Sequence, residues 1–335
     1  MSQFFPAFVD SFNELLTLVK DKKIAVVGHM RPDGDCIGSQ FALAEFLRQA
    51  GAKDVVCLNQ NPVPYLYENL GAGEKMLSAE DFTDTSYEII TVDCADYKRT
   101  NLTLCERFPN VLACIDHHAS NAPSAKINII DSKASATAEL IAGLAFDANL
   151  KFSERVCNLL YTGIVMDTRQ FTTTSTRALT FEIATALVKA GADAPQVAVE
   201  LYQRERFGKL RLMAEYLQSL KLHFNGRICI GILPAGIYEK TDSEKADSDG
   251  LVDLARSVNG VDIAVLLEDL AHGVKGSLRA KDAKYAVNEI ASKFGGGGHL
   301  AAAGFTAEGE KIETFYPKLL EIIENSLKQK DKFNS

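Results

Sequence analysis

The stretch Ile24-Ala25-Val26-Val27-Gly28-His29-Met30-Arg31-Pro32-Asp33-Gly34-Asp35 starts as a short apolar run and ends in one imidazole and two carboxylates. The apolar part has the length of a buried strand. A helical pattern follows from about Ile37 to Ala50 and stops at Gly51. The same alternation recurs downstream, where Val55–Leu58, Ile89–Val92 and Val111–Ile115 are further continuous apolar runs. Apolar strands alternating with helices predict an α/β fold whose mainly parallel sheet is covered by helices on both faces. Ligands of such open sheets gather beyond the carboxyl ends of the strands. His29, Asp93 and Asp116 all stand at that edge, each just past an apolar run. Asp167 instead ends a helical stretch, Tyr161–Met166.

Taken together, His29, Asp33, Asp35, Asp93, His117 and Asp167 offer two imidazoles and four acids. That is enough to hold two divalent cations sharing one carboxylate, and paired cations of this kind hydrolyse phosphate esters. Gly34 lets Asp33 and Asp35 flank a tight turn, and Pro32 stiffens the approach to it. A donor set of imidazole and carboxylate without thiolate suits Mn2+, with Co2+ and Zn2+ as alternatives, whereas Mg2+ favours all-oxygen shells. An isolated Asp-x-Asp or Asp-His-His is as often a surface turn. Their joint placement on strand ends is what points to a metal centre.

Length, composition and charge narrow the class. The chain has 335 residues, enough for two domains with sizeable cores, and its 47% hydrophobic and 24% charged residues are those of a globular protein. No apolar run has the length of a membrane span, and the opening Met-Ser-Gln-Phe-Phe-Pro lacks the pattern of a signal peptide. A cytoplasmic location is expected. Seven scattered cysteines without a Cys-x-x-Cys pair argue against a disulfide framework or a zinc ribbon. A net charge of −8 disfavours coating of long duplex nucleic acid and favours a small anion held at a local basic site. Residues 275 to 299 provide one, with Lys275, Arg279, Lys281, Lys284 and Lys293 against Asp282 and Glu289.

Helical patterns cover 135–149, 153–166 and 176–190, and the region from Pro195 to Leu222 reads as a connection ending in a long helix. Its charges, Arg204, Arg206, Lys209 and Arg211 among them, read as a solvated helix face. A smaller α/β unit follows, with strands at Ile228–Leu233, Val261–Leu267 and about Gly276–Arg279, a helix near 286–294 and a closing helix near 312–328. Between those helices stand Gly295, Gly296, Gly297, Gly298 and His299. Consecutive glycines can turn backbone N–H groups inward to form an anion-binding concavity. Arg279 can grip a phosphate through two parallel hydrogen bonds. Arg99 either reaches the metal centre or pairs with Asp96, and His223 and His272 lie outside every motif.

Four segments, Gly28–Ser39, Val92–Cys94, Ile115–His118 and Gly163–Phe171, resemble the motifs of the DHH phosphoesterase superfamily. Phe294-Gly-Gly-Gly-Gly-His-Leu-Ala-Ala-Ala-Gly-Phe305 resembles the glycine-histidine signature of its associated C-terminal domain, and the nearest likeness is to the bacterial nano-RNase and 3′-phosphoadenosine 5′-phosphate (pAp) phosphatase subgroup. The resemblance implies a catalytic domain over 1–194, a linker and connecting helix over 195–225, and a substrate-binding domain over 226–335, with the active site in the interdomain cleft. It also implies that His29, Asp33 and Asp93 hold one ion and that Asp35, Asp93, His117 and Asp167 hold the other. Asp33, Asp93 and His118 are then the catalytic residues, and Asp116 orients a histidine. His118, Ser277, Arg279, Gly296, Gly297, Gly298 and His299 become substrate contacts. The expected substrates are short oligoribonucleotides, including linear dinucleotides such as pGpG and pApA, and pAp. An inorganic pyrophosphatase or exopolyphosphatase and a non-catalytic nucleotide sensor are the competing expectations, and a homodimer is the default assembly.

Overall fold

The computed structural model describes residues 3–70 and 73–333. The chain divides into two compact units, one running to Arg204 and the other starting at Glu205. Among the described residues no helix is long and apolar enough to cross a membrane.

The first unit runs α1 (Val9–Leu18), β1 (Lys23–Val27), α2 (Gly34–Gln49), β2 (Asp54–Asn59), β3 (Met76–Ser78), β4 (Tyr87–Val92), α3 (Leu102–Arg107), β5 (Val111–Asp116), β6 (Ile127–Ile130), α4 (Thr137–Asp147), α5 (Glu154–Asp167), α6 (Ala178–Ala190) and α7 (Ala194–Tyr202). Its sheet is parallel throughout, in the order β3-β2-β1-β4-β5-β6. Successive side chains of a strand face opposite sides. Ile24 and Val26 therefore enter the larger core with Phe41, Leu140 and Leu160, while Ala25 and Val27 join a smaller one with Leu104 and Phe108. The expected covering of both faces is present. The short strands β3 and β6, which no long apolar run announces, complete the sheet at its two edges.

Two glycines let α2 and α5 cross closely. A Cβ on Gly38 would lie 2.3 Å from the Leu159 carbonyl oxygen, and one on Gly163 would lie 2.7 Å from a carboxylate oxygen of Asp35. Neither position has room for a side chain. The crossing brings the start of α2, with Asp35, against α5, whose last residue is Asp167.

The second unit runs α8 (Phe207–Ser219), β7 (Lys221–His223), β8 (Ile228–Leu233), α9 (Ile237–Thr241), α10 (Leu251–Ser257), β9 (Ile263–Leu270), β10 (Gly273–Ala280), α11 (Val287–Ser292), β11 (Gly297–His299), β12 (Ala302–Glu308) and α12 (Ile312–Phe333). The sheet order is β11-β12-β10-β9-β8-β7, antiparallel except where β8 meets β9. Residues from α8 and α10 (Leu212, Tyr216, Leu251 and Ala255) pack on Cys229, Ala264 and Leu266. Residues from α11 and α12 (Ile290, Phe315, Leu319 and Ile323) pack on the opposite face with Val265, Leu278 and Phe305. The region after Pro195 is thus two helices, the end of α7 and α8, one in each unit.

Candidate metal centre

The loop leaving β1 is held from several sides. Gln40, buried on α2, donates through Nε2 to the carbonyls of Val26 (3.1 Å) and Leu58 (2.9 Å), bridging β1 and β2 just below the site. The Asn59 amide donates to the His29 carbonyl at 3.0 Å, and the Met30 N–H donates to the Arg99 carbonyl at 2.8 Å. His29 Nδ1 lies 2.8 Å from the Met30 carbonyl. A carbonyl can only accept, so Nδ1 carries a proton and Nε2 is the nitrogen turned toward the acids. That nitrogen is 3.5 Å from Asp93 Oδ2 and 3.8 Å from Asp33 Oδ1.

Asp33 and Asp35 do not flank a free-standing turn, as the sequence suggested. The helix begins at Gly34, earlier than expected, because Asp33 is its N-cap and accepts the N–H groups of Asp35 and Cys36 at 3.1 Å each. Gly34 is required for space rather than for a turn, since a Cβ there would lie 2.5 Å from the Met166 side chain. Asp35 is buried, and its two oxygens accept the N–H groups of Thr137 (2.7 Å) and Ala138 (2.8 Å) at the start of α4.

Asp93 follows β4 in a left-handed conformation, φ 52°, which an aspartate tolerates better than most residues. Its N–H donates to the Ile115 carbonyl at 3.1 Å, and its Oδ1 accepts the Thr137 hydroxyl at 3.0 Å. The same Oδ1 lies 3.6 Å from His117 Nε2 and 3.8 Å from His118 Nδ1. His117 Nε2 is also 3.2 Å from Asp167 Oδ2, while its Nδ1 faces the Ala134 carbonyl at 3.3 Å.

Asp116 is fully buried at the end of β5. Its Oδ1 accepts from the N–H groups of His117 (2.8 Å) and His118 (3.2 Å) and pairs with His118 Nδ1 at 2.7 Å. Its Oδ2 accepts from the Asn121 amide at 2.5 Å. Burial pushes the Asp116 carboxyl up, but the bonds from His118 and Asn121 outweigh it and hold the group below its ordinary range. The bond to Asp116 in turn raises the His118 imidazole.

Donor atoms of Asp93, His117 and His118 lie within 4.8 Å of one another, as do those of Asp35, His117 and Asp167 and those of His29, Cys36 and Asp93. Seven residues from four distant segments therefore meet, with Asp93 and His117 each common to two groups, while Asp33 is in none of the three and lies 3.8 Å from His29. Burial and the charges of Asp93, Asp167 and Asp33 push Asp35 well up. Burial, with Asp93 and Asp33, pushes Asp167 to about 6. Burial pulls His29 down, yet Asp33 and Asp93 hold it charged far above its ordinary range. All three shifts express a demand for positive charge, which divalent cations bound to mixed oxygen and nitrogen donors satisfy. Burial pushes the Cys36 thiol up to about 12, so it walls the cluster without adding an anion.

Several supporting residues carried no sequence signal as functional groups. These are Thr137, Asn121, Asn59 and Gln40. Thr137 had one indirect sign. Its helix starts after Ala136, which cannot cap it, so a buried start of this kind requires a partner from elsewhere. Arg99 makes no ion pair with Asp96 among the described residues, and Asp96 accepts the Lys98 N–H instead. His223 bonds the Tyr316 hydroxyl at 2.7 Å within the second unit.

In the second unit, Ser277 and Arg279 alternate on β10 with buried Leu278 and Ala280. Cross-strand pairing places Arg279, Ala302 and His299 in one row and Ser277, Gly304 and Gly297 in the next. This face has small residues for its floor, and Gly297 and His299 are exposed on it. The Arg279 Nη1 donates to the Leu278 carbonyl at 3.0 Å, whereas Lys275 is neutralised by buried Glu268. The glycine run does not form the expected concavity. The N–H groups of Gly295 and Gly296 close α11 on Ser292 (3.2 Å) and Ala291 (3.0 Å), and Gly297–His299 pairs with β12. Gly298, at φ 140° with a would-be Cβ 2.5 Å from the Ala302 carbonyl oxygen, admits no other residue without strain.

Residues 23–164 match the DHH family, N-terminal domain, and residues 227–327 match the DHHA1 domain. The chain carries a DHH domain followed by a DHHA1 domain, and is a hydrolase acting on phosphoester bonds. It is 29% identical to the bifunctional oligoribonuclease and PAP phosphatase NrnA of Thermus thermophilus, across 91% of this chain and 90% of that one. It is 26% identical to the protein of the same name from Bacillus subtilis, across 82% and 86%. The crystal structure of an exopolyphosphatase-related protein from Bacteroides fragilis matches with a TM-score of 0.84 at 25% identity, covering 98% of both chains.

Proposed function

We propose that this protein is a manganese-dependent phosphoesterase that hydrolyses short oligoribonucleotides, linear dinucleotides among them, to mononucleotides, and pAp to AMP. The observation that carries the reading is the convergence of Asp35, Asp93 and Asp167 with His29, His117 and His118, with Asp33 3.8 Å from His29 and Asp93 common to two donor groups. The relatives named as oligoribonuclease and PAP phosphatase, aligned over most of the chain, support the choice of substrate.

His29, Asp33 and Asp93 would hold one cation, and Asp35, Asp93, His117 and Asp167 the other. Two bound cations supply Lewis-acid polarisation of a phosphoryl oxygen and lower the pKa of coordinated water to about 7. Asp116 holds His118 by Nδ1, which leaves Nε2 to deliver a proton to the oxygen that departs from phosphorus. Arg279 and His299 are assigned phosphate or base contacts, and Ser277 is assigned to the same substrate-binding face. Gly296, Gly297 and Gly298 are assigned to the backbone that lets a base or phosphate approach. We expect a cytoplasmic homodimer.

The test is hydrolysis of pApA, pGpG, pAp, pyrophosphate and polyphosphate side by side with added Mn2+. Release of mononucleotide from the dinucleotides and of phosphate from pAp is expected. Turnover confined to pyrophosphate or polyphosphate would instead support a relation in activity to the exopolyphosphatase-related protein. Binding of the nucleotides without turnover would identify a sensor.

A further inference from the structure

We infer that Thr137 is a positioning residue whose hydroxyl fixes the Asp93 carboxylate and thereby sets the affinity for both cations; this rests on the proposed binuclear reading. Thr137 is the first residue of α4 and is fully buried. It touches two of the acids at once. Its N–H donates to Asp35 Oδ2 at 2.7 Å, and its hydroxyl donates to Asp93 Oδ1 at 3.0 Å.

Helical threonines commonly turn the hydroxyl back to a carbonyl of the preceding turn. Here no preceding turn exists, so the hydroxyl is available to Asp93. The helix start lacks a capping side chain because Ala136 occupies the N-cap, and Asp35 supplies the missing acceptor from 102 residues away. The positive end of α4 thus favours the charged form of Asp35, which burial opposes.

The two contacts separate cleanly. The backbone N–H survives any substitution other than proline, so Thr137→Val keeps the Asp35 bond and removes only the bond to Asp93. Without that bond the Asp93 carboxylate is free to rotate about its last torsion. The division that points Oδ2 toward His29 (3.5 Å) and Oδ1 toward His117 (3.6 Å) then loses its anchor. A shared ligand that wanders weakens both sites together.

The test titrates Mn2+ into metal-stripped full-length wild type, Thr137→Val, Thr137→Ala and Thr137→Ser, with binding read by calorimetry. Thermal unfolding in chelator reads folding alone. Wild type is expected to bind two ions. Both hydroxyl-less variants should bind each ion about 10- to 100-fold more weakly, the range for losing a partner of a metal ligand. Thr137→Ser should stay close to wild type. The Ala variant, which adds no branch, covers the case in which Val prevents folding. Wild-type affinity in Val or Ala, or a Ser variant as weak as they are, overturns the role of Thr137 and leaves the metal centre standing. Absence of Mn2+ binding by wild type overturns both.

Discussion

Each unit of this chain is built on a six-stranded sheet, yet the two sheets present their functional residues in opposite ways. In the first unit His29, Asp35, Asp93 and Asp116 are buried, and hydrogen bonds from the surrounding backbone and side chains hold them in place. Asp35 is clamped by two N–H groups, Asp116 by three donors on Oδ1 and one on Oδ2, and His29 by the carbonyl next to it. In the second unit the candidate groups stand on an open face of small residues, and the Arg279 guanidinium bonds only its neighbour's carbonyl among the described residues. Rigid placement suits groups that must meet cations at fixed distances, because reorganisation at the moment of reaction is what a preorganised site avoids. A loosely held guanidinium on a flat floor suits recognition, where the ligand itself supplies the missing partner.

Substitutions should separate the two regions. Asp93→Ala removes the carboxylate common to two donor groups, and the expected loss of turnover exceeds about 100-fold, the upper end for disturbing only a ligand's partner. Steady-state kinetics with pApA at saturating Mn2+ measures it. Near-normal kcat would show that Asp93 is not shared. Arg279→Ala should act differently. Charged hydrogen bonds contribute about 1.5–3 kcal/mol, so KM should rise about 10- to 100-fold while kcat and Mn2+ affinity stay within a few fold. A fall in kcat with KM unchanged would place Arg279 in the chemistry and erase the contrast.

How far the sequence disclosed this division depended on the kind of interaction. Long apolar runs reveal β1, β4 and β5, and the residues just past them, His29, Asp93 and Asp116, follow from the geometry of a parallel sheet. The edge strands β3 and β6 were hidden because three or four residues carry no measurable periodicity. Strand β11 was hidden for another reason: Gly297 and Gly298 have no side chains to alternate, so only backbone pairing with β12 defines it. The early start of α2 was missed because Asp33 serves both as a helix cap and as a candidate ligand, and a loop reading accounts for only the second role. Asn121 is invisible to any local pattern and Thr137 shows only the uncapped start of its helix, since what they do is reach acids that lie elsewhere on the sheet edge.

Asn121 offers the smallest and most discriminating effect. Its amide donates to Asp116 Oδ2 at 2.5 Å and to the Cys94 carbonyl at 3.2 Å, so it ties the loop after β5 to the loop after β4. Asp116 touches none of the proposed cations' ligand oxygens. It acts on His118, whose Nδ1 it holds at 2.7 Å, and on the backbone N–H groups of the two histidines. Asn121→Ala leaves those bonds to Oδ1 in place and removes the amide donor to Oδ2. A single hydrogen bond of this kind contributes about 1 kcal/mol, so kcat should fall about fivefold, with KM and Mn2+ affinity unchanged. If KM rose in step with the loss, the substitution would have disturbed binding rather than the placement of His118. The first region would then be less sharply divided from the second than its hydrogen bonds indicate.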